Sequence, residues 1–352
     1  MSSKSPLKAK RNFFYIAVIL LIGLFIFRQT IDVSQFGNIL WTSQVVKGIL
    51  LAICMLVLRD LGYVMRLRLL TDKKITFNEL IKIILLWEFG SAITPGMLGG
   101  KAVAVFLLIQ NKVKAAKASS LVLLAIILDE FIFVLLFPIL FFIYGKSMLA
   151  PHTDCPDWTV LQSKLSFLKN IDYIQEIVFT ILTFIFLFVA VAFIGIFVFP
   201  RWIKNAFLKL SRITILQRWQ IEIVDFGREL FETNIAYKNK KIIFWIQLAL
   251  YTLMSWAGRY MVGLAIVWGF ANAPLDLGLI YAKQYALWLM FYLPSTPGSS
   301  GLAEAIYMAF YCPYFEQGMS GVIAFIWRFI SYYIYVIIGI FLIFWGMRTS
   351  KK

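Results

Sequence analysis

TPGMLG at residues 94–99 and TPGSSG at residues 296–301 are two copies of one helix-breaking sequence, and each interrupts a hydrophobic stretch. Proline and glycine end helices, because proline lacks an amide proton and glycine gains backbone freedom. Bilayer hydrocarbon offers no water to the freed backbone groups, so a broken helix is tolerated only where protein or a polar cavity surrounds it. The two copies therefore predict a polar site inside a membrane protein. A pair of ordinary loop breakers is the alternative.

The composition is that of a polytopic membrane protein, because 61% of the 352 residues are hydrophobic and only 15% are charged. A membrane crossing needs roughly 20 apolar residues. Six runs approach or exceed that length, near residues 12–30, 39–58, 118–143, 177–199, 242–268 and 321–346. The first run has the basic start of a signal peptide, but residues 28–32 are a poor cleavage context. We interpret it as an uncleaved span.

Lysine and arginine predict the orientation of these spans, because positive charges near span ends stay on the cytoplasmic side. Of the 34 basic residues, 24 fall in the two termini and in residues 59–74, 112–117 and 200–241. Both termini are therefore expected in the cytoplasm, in a bacterial-type cytoplasmic membrane. The net charge of +16 indicates contact with anionic lipid and not with nucleic acid.

The segment 79–111 has lysines beyond both ends, and each of its apolar halves is too short to cross. We expect a re-entrant helical hairpin there, and a second at 277–312 entering from the outer face. Each half of the chain then reads span, span, hairpin, span, and three crossings invert the second half. The predicted fold is an all-α polytopic membrane protein with two inverted repeats, six full spans and two re-entrant hairpins. It forms a single membrane domain, with a first repeat at 1–145, an outer loop at 146–176 and a second repeat at 177–352.

The two breaks predict an anion site, because a helix that restarts there presents unpaired N–H groups and a partial positive charge. Lys101 opposes this helix dipole, so a phosphate or carboxylate partner best explains it, whereas an acid such as Glu304 is favourable in a first turn. Tight packing through small residues is the alternative explanation of the glycines. The candidate residues at the breaks are Thr94, Pro95, Gly96, Gly99, Gly100, Lys101, Thr296, Pro297, Gly298, Gly301 and Glu304.

Four further candidates are charged residues within the predicted spans, namely Asp129, Glu130, Arg259 and Arg328. Each charge costs on the order of 2.5–3.5 kcal/mol at the bilayer centre, so it marks a functional site by default. The arginines are then phosphate ligands, and the carboxylates are proton acceptors or contacts for a cationic headgroup. Inert ion pairs between these arginines and Asp129 or Glu130 are the alternative.

Other chemistry has little support in the sequence. The single histidine and the three widely spaced cysteines predict no metal site, and the odd cysteine count predicts no disulfide framework. No phosphate-binding loop or dinucleotide fingerprint is present, so no cofactor is expected. The 200–241 loop is predicted to form a cytoplasmic amphipathic helix lying against lipid headgroups, with partner docking as the alternative.

Three stretches resemble the transmembrane region of lysylphosphatidylglycerol synthases, also called the flippase-like or UPF0104 family: TPGMLGGKAV at 94–103, PSTPGSSGLAEA at 294–305 and WRFISYYIYVIIGI at 327–340. The resemblance implies an integral membrane protein that moves a lipid headgroup between leaflets. Family members that synthesise the aminoacyl lipid carry a large soluble domain after this region. The present chain stops at Lys352, so we do not expect synthase activity. Family members often have glutamate where this chain has Lys101, which leaves the charge preference for the substrate open.

The sequence therefore predicts a lipid flippase or a transporter of a lipid-linked substrate. Its partners are membrane lipids that bear a phosphate headgroup, and homo-oligomerisation is left open. Two alternatives belong to other classes. One is an intramembrane lipid-modifying enzyme with Asp129 or Glu130 as the base, and the other is a non-transporting subunit of a lipid or envelope biosynthesis complex.

Overall fold

The computed structural model of the chain describes residues 33–94, 98–152, 171–195, 199–213, 220–292 and 301–349, and these ranges contain helices and no β-strand. The α-helices are α1 (Ser43–Leu70), α2 (Phe77–Ile93), α3 (Leu98–Gln110), α4 (Ala115–Tyr144), α5 (Ile171–Phe193), α6 (Pro200–Leu210), α7 (Gln220–Lys238), α8 (Ile242–Phe270), α9 (Leu277–Met290), α10 (Leu302–Tyr311), α11 (Ser320–Arg328) and α12 (Ile334–Thr349). A π-helical segment, Phe329–Tyr333, joins α11 to α12 without a break. Short 3₁₀ helices occupy Val33–Asn38, Gly145–Met148 and Cys312–Tyr314.

Four of the described helical segments are long and apolar enough to cross a membrane: Ser43–Leu70, Ala115–Met148, Gln175–Phe193 and Ser320–Phe344. They coincide with four of the six predicted spans. Helix α8 lies at the fifth predicted position and runs for 29 residues. The first predicted span, 12–30, falls outside the described residues. The all-helical, membrane-spanning architecture is therefore confirmed, while the count of six spans and the inverted repeats stay predictions.

The centre of the bundle is an antiparallel pair, α1 and α8, whose backbones touch through glycines. A Cβ atom added to Gly48 would lie 2.5 Å from the Cα of Gly269, and one added to Gly258 would lie 2.7 Å from the carbonyl oxygen of Met55. Small residues at such crossings bring helices close in membranes, where van der Waals packing drives their association. This close contact fixes the height of the polar side chains on α1 relative to those on α8.

Helix α1 continues well past the predicted end of its span at residue 58, and it ends only at Leu70. The expectation that Arg59–Lys74 forms a basic cytoplasmic segment is therefore wrong for its first part. Arg59 and Arg66 are only 1% and 3% exposed. The prediction placed these arginines in the cytoplasm because positive charges usually lie outside the membrane. A guanidinium can also lie inside a helical bundle when carboxylates compensate its charge.

Both segments that contain a TPG sequence form antiparallel helical hairpins. In the first hairpin, α2 packs on α3 so closely that a Cβ on Gly100 would lie 2.6 Å from the Trp87 carbonyl oxygen. In the second, Tyr311 of α10 accepts a hydrogen bond from Gln284 of α9 at 2.9 Å. Residues 95–97 and 293–300 lie outside the described residues. Re-entry of the two hairpins from opposite faces of the membrane stays a prediction.

The helix ends gather at two opposite ends of the bundle. At the basic end, Asp72 after α1 accepts hydrogen bonds from Lys117 of α4 at 3.1 Å and from Lys240 before α8 at 2.8 Å. At the other end, the Gln44 side chain of α1 donates to the Trp268 carbonyl of α8 at 2.7 Å. The basic end is the one that the charge distribution assigns to the cytoplasm.

The 200–241 loop forms two helices, α6 and α7, where a single amphipathic helix was predicted. Helix α7 packs along α4, and Asn234 lies 3.0 Å from the hydroxyl of Ser120. Helix α6 has exposed aromatic side chains at Phe199 and Trp202 beside its start. The contact of this loop with lipid headgroups stays a prediction.

Cys312, which follows α10 at the end opposite Asp72, is disulfide-bonded, and its partner lies outside the described residues. The sequence predicted no disulfide framework from the odd cysteine count, and it gave no indication of this single disulfide. An odd cysteine count excludes only the pairing of every cysteine, and Cys54 is the free one among the described residues.

Candidate functional site

Two adjoining cavities lie inside the bundle between α1, α2, α8 and α9. We call the first the arginine cavity, because Arg59, Arg259 and Arg328 line it. We call the second the mixed cavity, because its lining combines cationic and anionic side chains. The charged residues of the mixed cavity are Arg66, Glu88, Lys101, Asp129, Glu130 and Arg259. The two cavities share Glu88, Ser91, Arg259 and Trp288 as a common wall.

The cavities are stacked along the axis of the bundle, with the mixed cavity nearer the basic end. Along α8, Trp256 lines the mixed cavity, Arg259 lines both and Val262 lines the arginine cavity. The six steps from Trp256 to Val262 span about 9 Å at a rise of 1.5 Å per residue. On the antiparallel α1 the order is reversed, from Arg59 in the arginine cavity to Arg66 in the mixed one. The two cavities therefore form consecutive chambers of one polar interior.

The common wall is built around the carboxylate of Glu88. Arg259 donates to Glu88 Oε1 at 3.2 Å, and Arg59 Nη2 lies 3.5 Å from Glu88 Oε2. The Arg259 guanidinium also lies 4.6 Å from the centroid of the Trp288 ring and donates to the Tyr63 hydroxyl at 3.0 Å. Aromatic faces stabilise a guanidinium that is removed from water. Arg259 is therefore held in place from several sides.

Arg328 is positioned by the start of the second hairpin's returning helix. Its Nε lies 3.4 Å from Glu304 Oε1, and its guanidinium lies 4.2 Å from the Tyr332 ring centroid. The second oxygen of Glu304 accepts a hydrogen bond from the Gly301 amide at 2.7 Å and so caps α10. Gly301 has φ 87°, a conformation that favours glycine. The helix break thus presents one carboxylate that satisfies both a helix end and a buried arginine.

The two adjacent carboxylates of α4 have different partners in the mixed cavity. Asp129 accepts from both terminal nitrogens of Arg66, one of them at 3.2 Å, and from Trp256 Nε1 at 2.7 Å. Glu130 accepts from the Tyr292 hydroxyl at 2.6 Å. The alternative that pairs Arg259 or Arg328 with Asp129 or Glu130 is therefore wrong. The helices are rotated about their axes so that Arg259 pairs with Glu88 and Arg328 pairs with Glu304.

Lys101 of α3 lines the mixed cavity near the wall. Among the described residues, Lys101 makes no hydrogen bond or ion pair, whereas every arginine around the cavities is paired with a carboxylate. A cation on a cavity wall without such a partner is suited to bind an anionic ligand.

The structure brings six of the predicted residues into this one region, namely Lys101, Asp129, Glu130, Arg259, Glu304 and Arg328. Thr94, Gly99 and Gly100 contribute to hairpin packing. The Thr94 hydroxyl donates to the Gly90 carbonyl at 2.7 Å, and the two glycines leave no room for a Cβ. Gly301 caps α10. Five predicted residues, Pro95, Gly96, Thr296, Pro297 and Gly298, lie outside the described residues.

Three charged residues of the site were not predicted from the sequence. Glu88 interrupts an otherwise apolar run in the first hairpin, and a charge in such a run is a signal in itself. Arg59 and Arg66 are seven residues apart, with Tyr63 between them, so all three share one helix face. This spacing could have predicted that Arg59 and Arg66 belong to one site.

Apolar helices around a charged, two-chambered interior define the chain as a polytopic α-helical membrane protein. It belongs to the family described as Lysylphosphatidylglycerol synthase TM region, which matches residues 12–339. The chain is also similar to a UPF0104 membrane protein from Archaeoglobus fulgidus, with 23% identity over 299 residues that cover 82% of this chain and 83% of that protein. No solved structure gives a significant match.

Proposed function

We propose that this protein moves a phospholipid, or the headgroup of a lipid-linked substrate, across the cytoplasmic membrane. The observation that carries the proposal is the pair of charged cavities stacked along the bundle axis with one shared wall. A lipid headgroup needs polar partners along its path through hydrocarbon, because an unpaired charge there is costly. The acyl chains remain in the surrounding lipid while the headgroup passes between the chambers.

The charge of the cavities favours a phosphate-bearing headgroup. Three arginines line the arginine cavity, and guanidinium groups bind phosphate oxygens through paired N–H donors. The mixed cavity adds the carboxylates of Asp129 and Glu130, which suit any cationic part of the same headgroup. A headgroup with a phosphate and an amine therefore finds complementary charge in adjacent chambers.

The proposed orientation has the Asp72 end in the cytoplasm and the Cys312 end outside. Basic residues concentrate at the Asp72 end, as the positive-inside rule requires. Disulfides persist in oxidising compartments, so a disulfide at Cys312 agrees with an outer location. The two repeats are proposed to be inverted, since Arg59 of α1 and Arg259 of the antiparallel α8 approach one carboxylate from the two halves of the chain.

Reconstitution into liposomes tests the proposal directly. The purified protein is incorporated with fluorescent phosphatidylglycerol, phosphatidylethanolamine or a polyprenyl phosphate, and reduction of the outer-leaflet dye reports leaflet exchange. We expect faster exchange of at least one phosphate-bearing lipid than in protein-free vesicles. A matched control carries Arg259→Gln and Arg328→Gln, which neutralise both arginines and keep polar side chains. Exchange at the protein-free rate for every lipid would contradict the proposal.

A lipid-modifying enzyme is the second candidate, because Glu130 and the Tyr292 hydroxyl form a short hydrogen bond within the mixed cavity. Such a pair is able to transfer a proton. We propose that it orients the headgroup and does no covalent chemistry. Incubation of the detergent-purified protein with the same lipids, followed by mass spectrometry, should return them unchanged. A new lipid species that disappears in Glu130→Gln would favour the enzyme.

A further inference from the structure

Glu88 is the one carboxylate, among the described residues, that lines both cavities. Two arginines from different helices approach it, Arg59 from α1 and Arg259 from α8. An anion at the position of its carboxylate is therefore stabilised by arginines from both halves of the chain. A phosphodiester is recognised by the same paired N–H donors that recognise a carboxylate.

The ion pairs of Glu88 are looser than those of Asp60 and Asp129. Its contacts with the two arginines are single ones, at 3.2 and 3.5 Å. In comparison, Asp60 receives two hydrogen bonds from Arg59, at 3.0 and 2.9 Å. Asp129 is likewise held by two nitrogens of Arg66. The Glu88 carboxylate is therefore held less firmly than Asp60 or Asp129. Glu304 also has a single contact with its arginine, at 3.4 Å, but the Gly301 amide holds it in addition.

Arg259 also retains donor capacity that Glu88 does not use. Its Nε is buried and has no hydrogen-bond partner among the described residues. An unsatisfied buried donor is costly. A ligand with more acceptor oxygens than a carboxylate, such as a phosphodiester, is able to satisfy it.

We propose that Glu88 is a displaceable internal anion, which occupies the phosphate position between Arg59 and Arg259 when no lipid is bound. This inference rests on the proposed function and adds how the headgroup passes the shared wall. The phosphodiester binds Arg259 by exchanging with the Glu88 carboxylate, and Glu88 returns to Arg259 when the headgroup moves on. Arg259 keeps an anionic partner at every stage, and the displaced Glu88 carboxylate keeps its contact with Arg59, so neither charge is left without a partner.

Calorimetric titration of the detergent-purified full chain with dihexanoylphosphatidylglycerol tests the exchange. Glu88→Gln removes the competing charge and keeps the side-chain shape, so the lipid should bind about tenfold more tightly, the scale of one charge-assisted hydrogen bond. The matched control is Asp60→Asn, because Asp60 carries the same charge and pairs with Arg59 but lines neither cavity. It should change the affinity by less than about threefold. Unchanged or weaker binding by Glu88→Gln, or an equal gain in both variants, would overturn the inference.

A second variant covers the case in which Glu88→Gln does not fold. Glu88→Asp keeps the charge but shortens the side chain by one methylene, which moves the carboxylate away from the arginines. The affinity for the lipid should therefore rise by a smaller factor than in Glu88→Gln. An unchanged affinity would contradict displacement. Inorganic phosphate serves as a second ligand in the same titrations. A gain for inorganic phosphate without one for the lipid would overturn the assignment to a lipid headgroup.

The liposome assay separates this inference from the proposed function. Lipid exchange by the wild-type protein together with unaltered lipid affinity of Glu88→Gln would contradict the displacement of Glu88 but not the proposed transport. Tighter binding by Glu88→Gln without any lipid exchange by the wild-type protein would contradict the proposed transport but not the displacement.

Discussion

Arg66 and Asp129 form a two-point ion pair inside the bundle, with Arg66 Nη2 at 3.2 Å from Asp129 Oδ2 and Nη1 bonded to the other oxygen. The pair joins α1 to α4, and the Trp256 indole of α8 also donates to the same carboxylate. Three helices therefore meet at one carboxylate. Both residues of the pair line the mixed cavity.

Asp129→Asn should destabilise the protein strongly, because it leaves the Arg66 guanidinium buried without a counter-charge. Breaking a buried pair from one side costs about 3–5 kcal/mol. The loss is measured as a lower midpoint of thermal unfolding in detergent. The double variant Arg66→Met, Asp129→Leu should recover part of it, since neither charge remains. A double variant as unstable as the sum of its single changes would argue against the ion pair.

Arg259→Lys should reduce lipid exchange by about tenfold or more while leaving the protein yield within about twofold. Lysine keeps the charge but loses the planar, multi-donor group that stacks on Trp288 and reaches Glu88 and Tyr63. Liposome exchange and the amount of purified protein are measured together. Arg228→Lys is the control, because Arg228 is exposed on α7 and pairs only locally with Asp225. A parallel fall in exchange and yield would indicate a purely structural role.

Lys101→Glu should shift the headgroup preference away from anionic lipids. The substitution changes the charge on the wall of the mixed cavity by two units beside Asp129 and Glu130. We expect the ratio of phosphatidylglycerol to phosphatidylethanolamine exchange to fall, with Lys101→Gln intermediate between the two. The ratio is obtained from separate liposome preparations of equal protein content. An unaltered ratio in both variants would remove Lys101 from the site.

Asp72→Asn should weaken the cytoplasmic end of the bundle in a pH-dependent way. Burial raises the pKa of Asp72, but hydrogen bonds from Lys240 and Lys117 outweigh this effect, so its pKa is lowered below the ordinary value. The pKa of an aspartate in the unfolded chain is near 4. A lower pKa in the folded protein means that the ionised carboxylate stabilises the fold at a pH above that of the unfolded pKa. This stabilisation is lost as the pH falls through the pKa of the folded protein. Asparagine tolerates the left-handed backbone at this position, where φ is 54°.

The free energy of unfolding of Asp72→Asn should therefore be lower at pH 7 by about 0.5–1 kcal/mol, since the pairs are partly exposed. Wild type and variant should converge as the pH falls below the lowered pKa. Thermal unfolding in detergent at pH 7, 5 and 3 provides the comparison. A constant difference across this range would exclude the charge as its cause.

The structure confirms the all-helical membrane class that the sequence predicted. Charges and helix breaks in apolar runs are costly and therefore stand out, so the sequence also singled out six residues that lie around the cavities. Their role in binding a substrate stays a prediction. The end of α1 was missed because Arg59 and Arg66 look like cytoplasmic charges when no partner is known. Glu88, placed between two arginines, was overlooked because its segment was considered only for its length.

The pairing of charges was beyond the reach of sequence reasoning. Which carboxylate meets Arg259 depends on the rotation of α8 and α2 about their axes, and this rotation is set by distant packing such as the contact of Gly258 with Met55. A shift of one residue turns a helix by about 100°, enough to exchange the partners. Pairing is therefore a property of the assembled bundle.

The spacing of the guanidinium groups bears on the rate at which a headgroup would pass in the proposed transport. Arg59 and Arg66 lie seven residues apart on α1, about 10 Å along its axis, and Arg259 borders both chambers. An anion that leaves one guanidinium is thus within about two helical turns of another. In the proposed transport, one high dielectric barrier would thus be divided into several shorter steps between neighbouring guanidinium groups.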